Sequence, residues 1–320
     1  MNKLRTAWAS ALKNPVFLPA VLLLALVVIN WILQPNLFRA AVFRINILTF
    51  SPLILVAAGQ AIIMISGNLD LSVGYGVSLI NCILATYMVV DPADPFRNAL
   101  VMVLALAAAI AMGIANGILV GYLKVPSFIG TFASSFVWLG VAIMVRPVPG
   151  GAVPRNFTTF FKAHVGPFNL IFLSIVIALI AWHILRRYRI GRYIYATGSN
   201  MEAAYRNGIN VKGITLLAFA IGWVFVYLGT LALTAQTRAG DARLGEPFAL
   251  NSIAAAVIGG IVMGGGRGNP VGAAMGAISL SIIMNIIYFA GIPTSWQVFV
   301  RGVIIILAIG ATVFYKRKYD

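Results

Sequence analysis

Charge is what this chain of 320 residues has least of: Asp and Glu together number seven, and charged residues make up 9% of the total. A soluble globular domain carries about 25% charged residues, so a water-solvated fold is excluded. Cysteine is nearly absent too. The single Cys82 lies inside an apolar run, which rules out a disulfide framework within the chain and any metal site of cysteine spacing. The two histidines, His164 and His183, stand apart from each other and from any acidic cluster, so neither a metal set nor a nucleophile–base pair for a membrane enzyme is in view. No G-x-x-x-x-G-K-[ST] occurs either. The stretch "GGGRGNP" (264–270) has the glycines but lacks the lysine and hydroxyl that hold phosphate and magnesium. The chain cannot hydrolyse ATP by itself.

What the chain has is hydrocarbon, at 61% hydrophobic residues. Apolar runs approaching the roughly 20 residues that cross a bilayer recur along it. They are continuous rather than alternating, which predicts a helical bundle and not a barrel. The expected fold is an all-α polytopic membrane protein, one transmembrane domain over 1–320. Ten spans are expected, at 16–33, 46–66, 75–90, 98–121, 127–146, 168–185, 213–235, 249–263, 270–289 and 296–315. The separators, such as "DPADP", "KVPS" and "RPVPGGAVPRN", are rich in Pro and Gly, as helix breaks are. The first apolar run is followed by "QPNLF" rather than a small-residue cleavage site, so it reads as an uncleaved span.

The formal charge of +16 belongs to the loops. No soluble basic face or nucleic-acid module accompanies it, so no nucleic-acid partner is expected. With the N-terminus inside, fourteen Lys and Arg fall on cytoplasmic segments and eight on outer ones, which follows the excess of Lys and Arg on inner loops. Both termini are then cytoplasmic. Five spans precede the long outer loop and five follow it, which fits an inverted 5+5 duplication. Each half holds a Gly-interrupted apolar segment, "SGNLDLSVGYG" (66–76) and "VIGGIVMGGGRGNPVG" (257–272), and paired interrupted helices point to a transport pathway. Glycines at four-residue spacing, Gly113, Gly117 and Gly121, and again Gly272 and Gly276, allow close helix packing.

The longest inner loop, about 186–212, contains "ATGSNMEAAYRNGI". Ser199 followed by Glu202 predicts a capping box, and Gly208 is placed to end the short helix with positive φ. Such a capped helix beside a basic stretch suits docking of another protein.

The ordered set "GNLDLSVG" (67–74), "KVPSFIGTFA" (124–133), "GRYIYATGSNMEAAYRNGI" (191–209), "LNSIAAAVIGG" (250–260) and "GGGRGNPVGAAMGA" (264–277) resembles the permease subunits of bacterial ABC importers for ribose, xylose and related monosaccharides. Asn68 stands where that family's pattern has a glycine. The resemblance implies a permease in the bacterial inner membrane that forms the translocation path and has no enzymatic activity or cofactor of its own. It also implies a separate ATPase subunit carrying ATP and magnesium, a periplasmic or extracellular substrate-binding protein, and a second permease copy, identical or similar. Ser199, Glu202, Ala203, Ala204 and Gly208 would then couple to the ATPase. Arg238, Asp241, Arg243 and Glu246 on an outer loop would meet the binding protein. Asn68, Asp70, Ser72, Ser127, Phe128, Thr131, Trp138, Asn251 and Ser252 are the polar and aromatic candidates for the path and its gate. No metal site is expected.

The rival reading is an ion-coupled transporter of a small polar solute, which needs ionisable groups deep in the bundle. Asp70 is the one intramembrane carboxylate candidate. Gly67 and Gly74 allow a break beside it, so Asp70 or Ser72 is expected to cap the following helix and to brace the gate. On that reading Asp70→Asn retains substantial transport.

Overall fold

In a bilayer every backbone N–H and C=O must find a partner inside the protein, so long apolar runs fold as helices. The computed structural model describes residues 17–90, 92–166 and 168–293, with six single residues between 296 and 306. The helices are α1 (Phe17–Leu33), α2 (Ala40–Ile65), α3 (Val73–Tyr87), α4 (Pro95–Gly121), α5 (Ser127–Val145), α6 (Arg155–Lys162), α7 (Leu170–Leu185), α8 (Arg189–Ser199), α9 (Met201–Arg206), α10 (Val211–Thr237), α11 (Glu246–Ile258) and α12 (Pro270–Phe289). A two-residue hairpin, β1 (His164–Val165) with β2 (Phe168–Asn169), is the sheet among the described residues.

Helix starts are set by short polar side chains. Asp94, Asn210 and Asn269 each accept a backbone N–H two or three residues on, at 3.0–3.1 Å, opening α4, α10 and α12. These caps satisfy donors that a helix end leaves free.

A helix underlies each expected span up to residue 289, but fewer of them have the length of a full crossing. Among the described residues five helices, α2, α4, α5, α10 and α12, are long and apolar enough to cross a membrane; α7 with α8, bent by 79°, would make a sixth. The reason lies in the breaks. At 15 and 13 residues, α3 and α11 rise only about 20 Å, short of a hydrocarbon core of about 30 Å. The span expected to run to 263 stops at Ile258, because Gly260 takes φ +84°. Most of the tenth expected span, 296–315, lies outside the described residues, as do the N-terminal and C-terminal basic clusters.

Helix α10 forms the centre, packed on α2 and α4, while α12 lies against α1, α2 and α11. Backbones touch where α2 crosses α10: a Cβ on Gly59 would run into the Gly222 carbonyl. The glycine row on α4 makes the expected close approach. Gly113 lies against Trp223, Gly117 against Leu216 and Gly121 against the Lys212 carbonyl, all on α10. Two apolar clusters result, and they meet along α2 and α10.

Candidate functional site

The chain breaks after α2 in a defined way. Ser66 folds its hydroxyl back onto the Ile63 carbonyl (2.7 Å), and Gly67 reverses the chain at φ +90°. Residues 68–71 then run without regular structure until Ser72 turns into α3, which leaves backbone N–H groups of this stretch without helical partners. Side chains supply them. Leu69 N–H donates to Ser127 Oγ (3.2 Å) and Leu71 N–H to Thr131 Oγ1 (3.0 Å), both on α5. The Gln60 amide, turned to face Asp70, exchanges a pair of 3.1 Å bonds with its backbone. Asn68, buried, donates to the Ser66 carbonyl and hydroxyl. Its φ is not positive, so a glycine is not required there.

Asp70 is fully buried at the centre of this break. Its Oδ1 accepts from Ser72 N–H (2.8 Å) and Ser72 Oγ (2.7 Å); its Oδ2 accepts from Asn116 Nδ2 (3.1 Å) and Trp223 Nε1 (2.9 Å). Asn116 also donates to Ser72 Oγ (2.7 Å) and accepts from Ser134 Oγ (2.7 Å). One carboxylate thus ties together α3, α4 and α10, and reaches α5 through Asn116. The expected cap is corrected in detail. Ser72 makes no side-chain cap to α3, and Asp70 binds the Ser72 N–H, holding the residue at the helix start rather than donors within the first turn.

Five of the path candidates, Asn68, Asp70, Ser72, Ser127 and Thr131, therefore come together at this break: Ser72 bonds to Asp70, Ser127 and Thr131 hold the Leu69 and Leu71 N–H groups, and Asn68 bonds to Ser66. The other four lie elsewhere. Phe128 is exposed on α5, stacked on Phe132. Trp138, further along α5, packs against the core of the first half. Asn251 and Ser252 are on α11, where Ser252 Oγ donates to the Ala249 carbonyl. Gln60, Asn116, Ser134 and Trp223 belong to the cluster but were not among the candidates. A polar side chain in an otherwise apolar helix was the available signal for Gln60, Asn116 and Ser134. Trp223 had none.

At the inner loop the capping residue shifts by one. Asn200, not Ser199, caps α9: its Oδ1 accepts from Ala203 N–H at 2.9 Å, while Ser199 ends α8 and its hydroxyl donates to Tyr195 O. Glu202 pairs with Arg206 one turn on instead of reaching back. Gly208 does close the helix, at φ +79°. Ala204 is buried; Met201, Glu202, Ala203 and Tyr205 are exposed. The stretch before α9, expected as loop, is the amphipathic helix α8, with Gly191, Ile194 and Thr197 buried and Arg189 and Arg192 exposed.

The end of α8 is where both Gly-interrupted segments meet. A Cβ on Gly198 would collide with the Ile65 carbonyl and crowd Gly266 N–H, and one on Gly265 would crowd the Gly67 backbone. Gly266 N–H donates to the Ile65 carbonyl (2.9 Å), and Tyr195 Oη donates to the Gly268 carbonyl (2.9 Å). A shift of the end of α8 would therefore press directly on the breaks after α2 and after α11.

The loops after α5 and α10 are joined as well, by paired 2.9 and 2.7 Å bonds between Gly150 and Gly240. The loop after α10 folds onto α3 through Asn81, which donates to Thr234 and Ala239 and accepts from Asp241 N–H. Half-buried Asp241 accepts Arg243 N–H. Arg238, Arg243 and Glu246 are exposed, and none of the four charged residues is in an ion pair among the described residues.

Residues 43–309 match the family model described as the branched-chain amino acid transport system / permease component. The chain belongs to this permease family. Among its relatives, the ribose import permease protein RbsC of Bacillus subtilis is 30% identical over 299 residues, covering 91% of this chain and 90% of the relative. The galactose/methyl galactoside import permease protein MglC of Escherichia coli K12 is 30% identical over 317 residues, covering 93% and 94%. Its Salmonella typhimurium namesake is 31% identical over 317 residues, covering the same 93% and 94%. No solved structure matches. As a member of the family, the chain places at its break after α2 the "GNLDLSVG" segment on which the resemblance rests.

Proposed function

We propose that this chain is the transmembrane permease subunit of an ATP-driven importer of a monosaccharide or similar small polyol. The relatives are sugar import permeases by name, and they cover nearly the whole chain. The observation that carries the mechanism is the joint of Gly198, Ile65 and Gly266, where the end of α8, next to the exposed capped helix α9, meets both interrupted segments. A separate ATPase pair binds ATP and magnesium and docks on the inner loop at Glu202, Ala203 and Tyr205. ATP-driven closure moves α9, the end of α8 follows, and the breaks at 66–72 and 259–269 shift together. Asp70 and its partners keep the first break rigid while it moves, as a gate brace and not as a proton carrier. A binding protein delivers the solute to the outer loops near Arg238, Asp241, Arg243 and Glu246. A second permease copy completes the path, and the protein sits in the bacterial inner membrane with ten crossings in two inverted halves and both termini cytoplasmic.

Saturation of Asp70 by four donors supports this reading over ion coupling, since each carboxylate oxygen already accepts two hydrogen bonds. The test is reconstitution in vesicles with the ATPase and the binding protein. Uptake should require ATP on the ATPase side, and Gly208→Pro, which cannot adopt positive φ, should abolish it while the permease still assembles. Uptake driven by a proton or sodium gradient alone would sink the proposal.

A further inference from the structure

At the middle of α2, well away from the Gly67 break, the structure holds a half-open cavity of about 170 Å³. Its walls are Thr49, Phe50 and Leu53 of α2, Asn251 of α11, and Leu280, Ser281, Met284 and Asn285 of α12. Thr49 and Ser66 are 17 positions apart, about 25 Å along a helix, so this cavity is separate from the Asp70 cluster. Its polar chemistry is specific. The Asn251 Oδ1 is buried with no hydrogen-bond partner, and the Asn285 amide bonds to nothing among the described residues. The Thr49 and Ser281 hydroxyls spend their hydrogens on the Ile45 and Ala277 carbonyls; they offer lone pairs to a visiting donor. Among the described residues no charged side chain lines the space.

Two amides and two acceptor hydroxyls beside Phe50 and Leu53 suit a neutral ring with hydroxyl edges and an apolar face. An apolar cavity of about 150 Å³ holds a benzene ring, so a sugar ring is accommodated with its substituents toward the open mouth. A carboxylate or ammonium would find no counter-charge, and burying it unpaired is costly. The polar lining also marks the space as more than a packing defect, since amides without partners are expensive against hydrocarbon. On the inverted-halves reading the counterpart junction is α3–α4–α10. There Trp223 fills the space between Gly76 and Gly113, whereas α2–α11–α12 leaves it open.

The geometry points to this cavity as a way-station for a neutral sugar or polyol inside the permease, with Asn251 and Asn285 as its hydrogen-bonding pair. The inference rests on the importer reading and names where its solute pauses. It is tested with single cysteines, Ser281→Cys or Asn285→Cys, on a Cys82→Ser background in vesicles holding the complete transporter. Millimolar ribose, xylose or galactose should slow labelling by a small neutral thiol reagent at least fivefold, while leucine and glutamate do not. Leu104→Cys, exposed on α4, should be labelled at the same rate with or without sugar. Asn251→Leu, nearly equal in volume, should raise the KM for uptake at least fivefold with a smaller change in sugar-stimulated ATP hydrolysis. Absence of protection by every sugar, equal protection by leucine, or an unchanged KM in Asn251→Leu overturns the way-station. A wild-type transporter that takes up no sugar with ATP would instead overturn the importer reading beneath it.

Discussion

Replacing Trp223 by Phe removes one N–H donor from the Asp70 carboxylate and keeps most of the ring that fills the space beside Gly76 and Gly113. A bond to a charged acceptor is worth about 1.5–3 kcal/mol, so Trp223→Phe should lower stability in detergent by about that amount, read as a shift in the denaturation midpoint. Asp70→Asn is more severe. Its oxygen can serve Ser72, but its new NH₂ faces the Asn116 amide and the Trp223 N–H, all three donors. The sequence alone leads to an expectation of tolerance, because a helix cap loses little when Asp becomes Asn. Three elements converging on one carboxylate change that: Asp70→Asn should be less stable than Trp223→Phe, and transport per assembled complex should persist. A loss of transport with normal assembly and stability would reopen a proton-carrying role. Asp70 and Ser72 were legible because a carboxylate among glycines is conspicuous in so apolar a chain. Trp223 was not, since an indole in a membrane helix looks like packing until its N–H is seen to point at an acid 153 positions away.

Among elements, α8 was the one hidden in plain sight. Its buried Gly191, Ile194 and Thr197 recur every three residues, yet Arg, Tyr and Gly dominate the stretch and its neighbours read as loop. The short helices α3 and α11 were likewise drawn too long, because apolar residues continue past Tyr87 and Ile258 while glycine geometry and turns end the helices. What those breaks have in common could not be read from either alone: both touch the end of α8. Gly198→Ala probes that contact. The added methyl would collide with the Ile65 carbonyl and crowd Gly266 N–H, so either α8 or both breaks must move. We expect the ATPase to remain bound and to hydrolyse ATP at its basal rate, with sugar uptake reduced tenfold or more. Tyr195→Phe removes the single hydrogen bond to the Gly268 carbonyl, worth about 0.5–1.5 kcal/mol, and should reduce uptake only a fewfold. Equal uptake by Gly198→Ala and wild type would show that the joint does not transmit motion.

For the whole molecule, charge decides orientation and encounter. The helix α9 and the loop after α10 lie at opposite ends of α10, a 27-residue helix about 40 Å long, enough to separate the two faces of a bilayer. On a Cys82→Ser background, Tyr205→Cys should react with an impermeant thiol reagent only from the cytoplasmic side and Arg243→Cys only from the outside. Reaction of both from one side would contradict the topology. The loop after α10 also offers Arg238 and Arg243 exposed and without an ion pair among the described residues. Charges on the rim of an interface act mainly on the rate of encounter, and salt screens them over about 8 Å at physiological strength. Arg238→Glu with Arg243→Glu should therefore slow binding-protein-dependent uptake several-fold at low salt and lose much of that effect at high salt. ATP hydrolysis by the complex without binding protein should be unchanged, because the inner joint at Gly198 is untouched. If the double variant matched wild type at low salt, these arginines would be ordinary solvated loop charges, and the binding protein would have to engage another part of the outer surface, such as the amphipathic helix α6.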